Sequence, residues 1–141
     1  MGKVVGCGLI AHVPTVMLPQ DIRHELNNGR DFSVVEGFHR LRRDVLSELD
    51  YDLVIVFDSH WFTTVEYIIT GHARRTGKYT SDELPRGMSQ VPYDLPGDPE
   101  FAKAAAAVGR KHGTWITAID DPYLPIQYAT VNPASYLQRG K

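Results

Sequence analysis

Cysteine is nearly absent from this chain: Cys7 stands alone among 141 residues. No intramolecular disulfide can form, and such usage fits a reducing compartment, so a cytoplasmic setting is expected. There is no run of about 18 apolar residues, so no membrane-spanning helix is expected. Neither sign of charge dominates, since 15 Lys and Arg against 17 Asp and Glu give a formal net charge of −2. Without a basic patch or arginine-rich run, the electrostatic footprint of a nucleic-acid binder is missing. No internal repeat or low-complexity tract occurs. The first expected strand starts at Lys3, leaving no room for a signal peptide. What remains is 43% hydrophobic and 23% charged. That is ordinary for a globular protein and enough for one domain spanning residues 1–141.

Residues 3–10 are apolar and rich in small and β-branched side chains, as a buried strand is. Cys7 falls inside this run and is expected to be a small buried hydrophobe. Asn27-Asn28-Gly29 marks a turn within a polar stretch, residues 21–32. Ser33-Val34-Val35-Glu36 has the form of a capping box, predicting a helix over residues 33–49. Val34, Phe38, Leu41, Val45 and Leu49 recur along it at helical spacing. Residues 53–57 read as a second strand and residues 65–70 as a third. The β-α-β order favours a parallel first pair. Residues 71–97, with several glycines and prolines, hold no strong periodicity and read as a long loop. Asp98-Pro99-Glu100 opens a helix that runs to His112 and stops at Gly113. Residues 114–119 form the next strand, and the segment from Pro133 to Lys141 shows no clear element.

Two histidines occupy equivalent places. His12 follows the first apolar run, and His60 follows the second through Asp58-Ser59. Each is expected just past the carboxyl end of a parallel strand, the edge where open α/β sheets bind ligands. Neutral imidazole is a ligand for iron, zinc and copper. Two such histidines and a carboxylate would form the facial triad of non-haem Fe(II) oxygenases, leaving half the octahedron open. Spacing alone leaves that reading level with two hydrogen-bonded structural histidines. The acids considered for a third ligand are Glu25, Asp120 and Asp121, and a solvated loop acid is the ordinary reading of each. His39 reads as solvated, and His112 as a helix-end residue favoured by the dipole.

Three segments carry more. They are Ile10-Ala11-His12-Val13-Pro14-Thr15, Val56-Phe57-Asp58-Ser59-His60-Trp61-Phe62 and Tyr79-Thr80-Ser81-Asp82-Glu83-Leu84-Pro85. In this order they resemble the class III extradiol ring-cleavage dioxygenases, in the branch acting on 3,4-dihydroxyphenylacetate. Tyr128-Ala129-Thr130-Val131-Asn132-Pro133 is similar to a further family segment. The likeness runs from about residue 3 to about residue 137.

The resemblance implies an α/β fold of three layers, α/β/α, with a mixed, partly parallel sheet. It implies mononuclear Fe(II) held by His12 and His60, with a catechol-type substrate and O2 as partners, and a homo-oligomer. The family's third ligand is a glutamate far downstream, and no matching segment occurs before Lys141. The chain is therefore expected to be the N-terminal part of a longer subunit, with little ring cleavage of its own. Where some relatives carry an acid-base histidine, this sequence offers the phenol of Tyr128, taken as the catalytic candidate. Trp61 and Phe62 could wall an aromatic pocket or simply pack in the core. Asp58 and Ser59 could orient His60 or form a strand-end turn. The competing functions are a non-catalytic subunit or fragment serving assembly, and a zinc hydrolase using the same ligands.

Overall fold

The structure is a computed structural model that describes residues 2–138. It is of the mixed α/β class, with its strands divided between a parallel and an antiparallel pair. Pro14–Met17 form a 3-10 turn, followed by helices α1 (Gln20–Leu26) and α2 (Ser33–Leu41). Strands β1 (Tyr67–Thr70), β2 (Arg74–Tyr79) and β3 (Val91–Pro96) precede helix α3 (Pro99–Lys111). Strand β4 (Ile116–Ile119) and helix α4 (Tyr128–Leu137) complete the order.

Helix α1 is tied to α2 through Asp31. Its carboxylate accepts two hydrogen bonds from the Arg23 guanidinium, both at 2.7 Å, and one from the Phe32 amide at 2.8 Å. Arg23 is buried and also donates to the Leu18 carbonyl at 2.5 Å, as a guanidinium taken out of water must. The paired cation holds the Asp31 carboxyl at about 2, below its ordinary value of 3.8. The expected turn is present: Asn28 and Gly29 take φ of 53° and 77°. The expected capping box is not. The cap residue of α2 is Phe32, whose side chain has no oxygen to cap with, and Ser33 already lies inside the helix; the Asp31 carboxylate accepts the Phe32 amide. The helix expected to run to residue 49 changes to a π-helical turn at Arg42–Leu46, where Ser47 bonds Arg42 through both its amide and its hydroxyl.

Strand β1 pairs in parallel with β4, Tyr67 opposite Ile116 and Thr70 opposite Ile119. Helix α3 lies between them in sequence and packs on both. It begins as expected, with the Asp98 carboxylate accepting the Phe101 amide at 2.9 Å, and ends at Gly113 with φ of 79°. Residues 71–97, read as a loop, contain instead the β2–β3 hairpin, with Arg74 opposite Pro96 and Tyr79 opposite Val91. The segment read as lacking an element carries the second half of α4; the part of it from Arg139 to Lys141 lies outside the described residues.

The two runs read most readily as strands, residues 3–10 and 53–57, join no ladder among the described residues, and the expected β-α-β core between them is not formed. Leu9 is 104% exposed and Phe57 90%. Cys7, expected in a core, is exposed as well. A run patterned for burial on both faces needs strand neighbours and cover on both; among the described residues these two have no strand neighbour and little cover, though Ile10 packs against a buried cluster. Six buried apolar residues form two clusters, Val16 with Val35 and Phe38, and Met88 with Tyr128 and Val131, while Ala102 and Ala106 are buried on α3. Helix α4 serves both clusters, through Tyr136 and Leu137 on the first and Tyr128 and Val131 on the second.

Candidate functional site

Helix α4 is the element that gathers the site. Asn132 on it is fully buried and donates from Nδ2 to the carbonyls of His12, at 3.0 Å, and Val13, at 3.3 Å. Thr130 donates its hydroxyl to Asp58 Oδ2 at 2.6 Å. The other oxygen of Asp58 accepts the amides of His60, at 2.9 Å, and Trp61, at 3.1 Å. This turn chemistry points the chain at His60. Both histidine segments therefore hang on one helix, although the strands expected to deliver them do not form.

The rings meet. The His12 and His60 centroids lie 6.1 Å apart, edge to face. The Tyr128 ring sits 4.2 Å from His60 and 5.6 Å from His12. Tyr128 is buried, and its phenol donates to Glu83 Oε2 at 3.2 Å. Glu83 Oε1 lies 3.2 Å from Nε2 of His60. Burial raises the Tyr128 phenol above its usual range, and the Glu83 carboxylate adds to the rise. Nδ1 of His60 is buried without a hydrogen-bond partner.

Of the acids considered from sequence, none stands with the histidines. Asp121 turns its carboxylate to the Tyr123 amide at 2.8 Å, while its carbonyl meets His72 Nε2 at 2.9 Å. Asp120 lines a small cavity with Gly71, Lys103 and Ala118 at the end of the parallel pair. Glu25 is exposed on α1. Among the described residues no three His, Cys, Asp or Glu side chains are grouped to hold a metal ion. Phe62 is 80% exposed and walls nothing, whereas Trp61 is partly buried. His39 is exposed, its ring edge-on to Tyr136 at 5.5 Å, and His112 caps α3, as read from sequence.

Sequence reasoning missed Glu83, Asn132 and Thr130. Each lies inside a segment quoted above for its resemblance, but nothing in those segments marks the individual residue. The missing step was the hairpin register that carries residue 83 back to residue 60.

The family described as the catalytic LigB subunit of aromatic ring-opening dioxygenase matches residues 6–140. The 3,4-dihydroxyphenylacetate 2,3-dioxygenase of Escherichia coli is similar, 30% identical over 141 residues, which cover 100% of this chain and 50% of that protein. The chain thus spans about half the length of the curated relative it matches.

Proposed function

From the premise that this chain belongs to the LigB family of aromatic ring-opening dioxygenases, we propose that it supplies half of an extradiol active site. The substrate is a catechol-type aromatic acid resembling 3,4-dihydroxyphenylacetate, the co-substrate is O2, and the metal is Fe(II), held by His12 and His60. One observation carries this reading: two imidazoles distant in sequence have their rings 6.1 Å apart. Neutral imidazoles suit Fe(II), and the unpartnered, buried Nδ1 of His60 is the kind of atom that a cation would satisfy. The donor set fits two of three protein positions. The remaining donor, a carboxylate in the facial triad, lies outside this grouping and is expected from the rest of a longer subunit.

When bound, Fe(II) supplies a Lewis-acidic, redox-active centre at which a catechol and dioxygen can react. The residues of this chain do the rest. Asn132 and Asp58 hold the two histidine segments in place. Tyr128 packs beside both rings and, with Met88 and Val131, keeps water from that side. Its phenol stays protonated at neutral pH, so it can hold a proton at a substrate oxygen and return it. The single thiol, Cys7, supports a cytoplasmic setting.

A second reading has an observation of its own. The exposed apolar runs at residues 3–10 and 53–57 favour a part that functions in assembly, as a homo-oligomer or joined to the rest of a longer subunit. Anaerobic titration of the chain with Fe(II), followed by 3,4-dihydroxyphenylacetate and then air, separates the two. Metal uptake that His12→Ala and His60→Ala each abolish is expected, with slow formation of a yellow ring-opened product. No uptake by the unaltered chain would leave the assembly reading.

A further inference from the structure

The loop joining β2 to β3 contains the third of the resembling segments, and the proposed chemistry gives it no task. It is built firmly. Ser81 and Met88 are 1% and 0% exposed. The Ser81 amide donates to the Met88 carbonyl at 2.8 Å, and the Ser81 hydroxyl accepts the Leu84 amide at 3.1 Å. The Leu84 carbonyl takes the amides of Gly87, at 3.2 Å, and Met88, at 2.9 Å. Met88 packs against Tyr128 and Val131, so the loop is pinned to the wall of the histidine site. A loop closed on itself in this way holds its outward side chains at fixed places.

One of these is Glu83. Its two carboxylate oxygens each face one member of the site, His60 Nε2 at 3.2 Å and the Tyr128 phenol at 3.2 Å. We infer that Glu83 is a positioning residue, a single carboxylate that fixes the His60 ring and the Tyr128 phenol relative to each other. This rests on reading His12 and His60 as a metal site. A carboxylate only accepts hydrogen bonds, so Nε2 of His60 carries the hydrogen and the lone pair of the neutral ring lies on Nδ1. Nδ1 is the buried atom that has no partner. A ligand histidine commonly has its other nitrogen tied to a carboxylate, which sets the tautomer and ring angle.

A stabilising role does not account for the contact. The Glu83 side chain is 58% exposed, and ion pairs so placed contribute little. Its effect belongs in the state of the ring.

The test uses Glu83→Gln and Glu83→Ala in the full chain, with Asp82→Asn as the neighbouring control. At about pH 8, where histidine is ordinarily neutral, the ring 15N shifts of His60 report its tautomer without metal. Calorimetric titration with Zn(II) alone reports the site's affinity, and a thermal melt reports the fold. The unaltered chain and Asp82→Asn should show the Nε2–H form. Glu83→Ala should show mixed tautomers, an unchanged melt, and about 10-fold or more weaker Zn(II) binding, whereas Glu83→Gln, whose carbonyl still accepts from Nε2–H, should keep the tautomer. Unchanged His60 shifts in Glu83→Ala would overturn the inference. So would tighter Zn(II) binding, which would mean that the carboxylate competes with the cation for His60. If the unaltered chain takes up no Zn(II), the two-histidine reading fails, and the 15N shifts still decide the role of Glu83.

Discussion

Asn132 shows how much one buried side chain can hold. It spans the carbonyls of His12 and Val13, and the amide that does so has its own oxygen buried without a partner. Asn132→Ala should cost about 1–3 kcal/mol, since a fully buried side chain is cut back and two part-buried carbonyls lose their donor. Urea unfolding measures this, and Zn(II) titration should show weakened uptake from the loosened His12. Asp31 makes a different prediction. Its carboxyl is held near 2, below 3.8, by Arg23. A depressed pKa contributes stability above the ordinary value that is lost as pH falls through the depressed one. The stability gap between the chain and Asp31→Asn should be constant above about pH 5 and close towards pH 2, read by urea unfolding across that range. The histidines were legible in the sequence because each follows an apolar run and sits in a recognisable segment. Asn132 and Glu83 were not, because a buried amide and a loop acid take their roles from partners far along the chain.

At the scale of elements, two helical glycines should respond oppositely to alanine. Nothing lies within 4 Å of a Cβ placed at Gly37 in α2. Gly37→Ala should therefore stabilise by about 0.5–1 kcal/mol through the unfolded chain's lost freedom. At Gly109 in α3 an added Cβ would meet Ile116 Cδ1 at 2.6 Å and the Thr114 carbonyl at 3.0 Å. There the helix must move off β4, and thermal melts should show Gly109→Ala below the unaltered chain. Helix α3 could be read from sequence because its signals are local: a capping aspartate, proline at the first turn and glycine past the end. Helix α4 could not. Thr130, Asn132 and an interior Pro133 all disfavour helix, and burial against both apolar clusters overrides them. The hairpin was hidden by the glycine and prolines within its strands. Residues 3–10 and 53–57 failed the other way, since a strand pattern describes a need for cover that the described residues do not meet.

Over the whole molecule, those uncovered runs should make the chain sticky. Val4, Leu9, Val54 and Phe57 are 86%, 104%, 62% and 90% exposed. A hydrophobic dye should bind the chain alone, and its sedimentation coefficient should rise with concentration. A monomer that excludes dye at every concentration would count against the cover inferred for these runs. The anchoring of the site also sets when it can exist. Asn132 and the carbonyl of His12 are 120 residues apart, and Thr130 and Asp58 are 72 apart. Contacts so distant close late, after the entropy of long loops has been met. During synthesis both histidines leave the ribosome well before the helix that seats them. For that interval the nascent chain carries two untethered imidazoles, and the metal capture proposed for them waits, amino end first, until α4 docks.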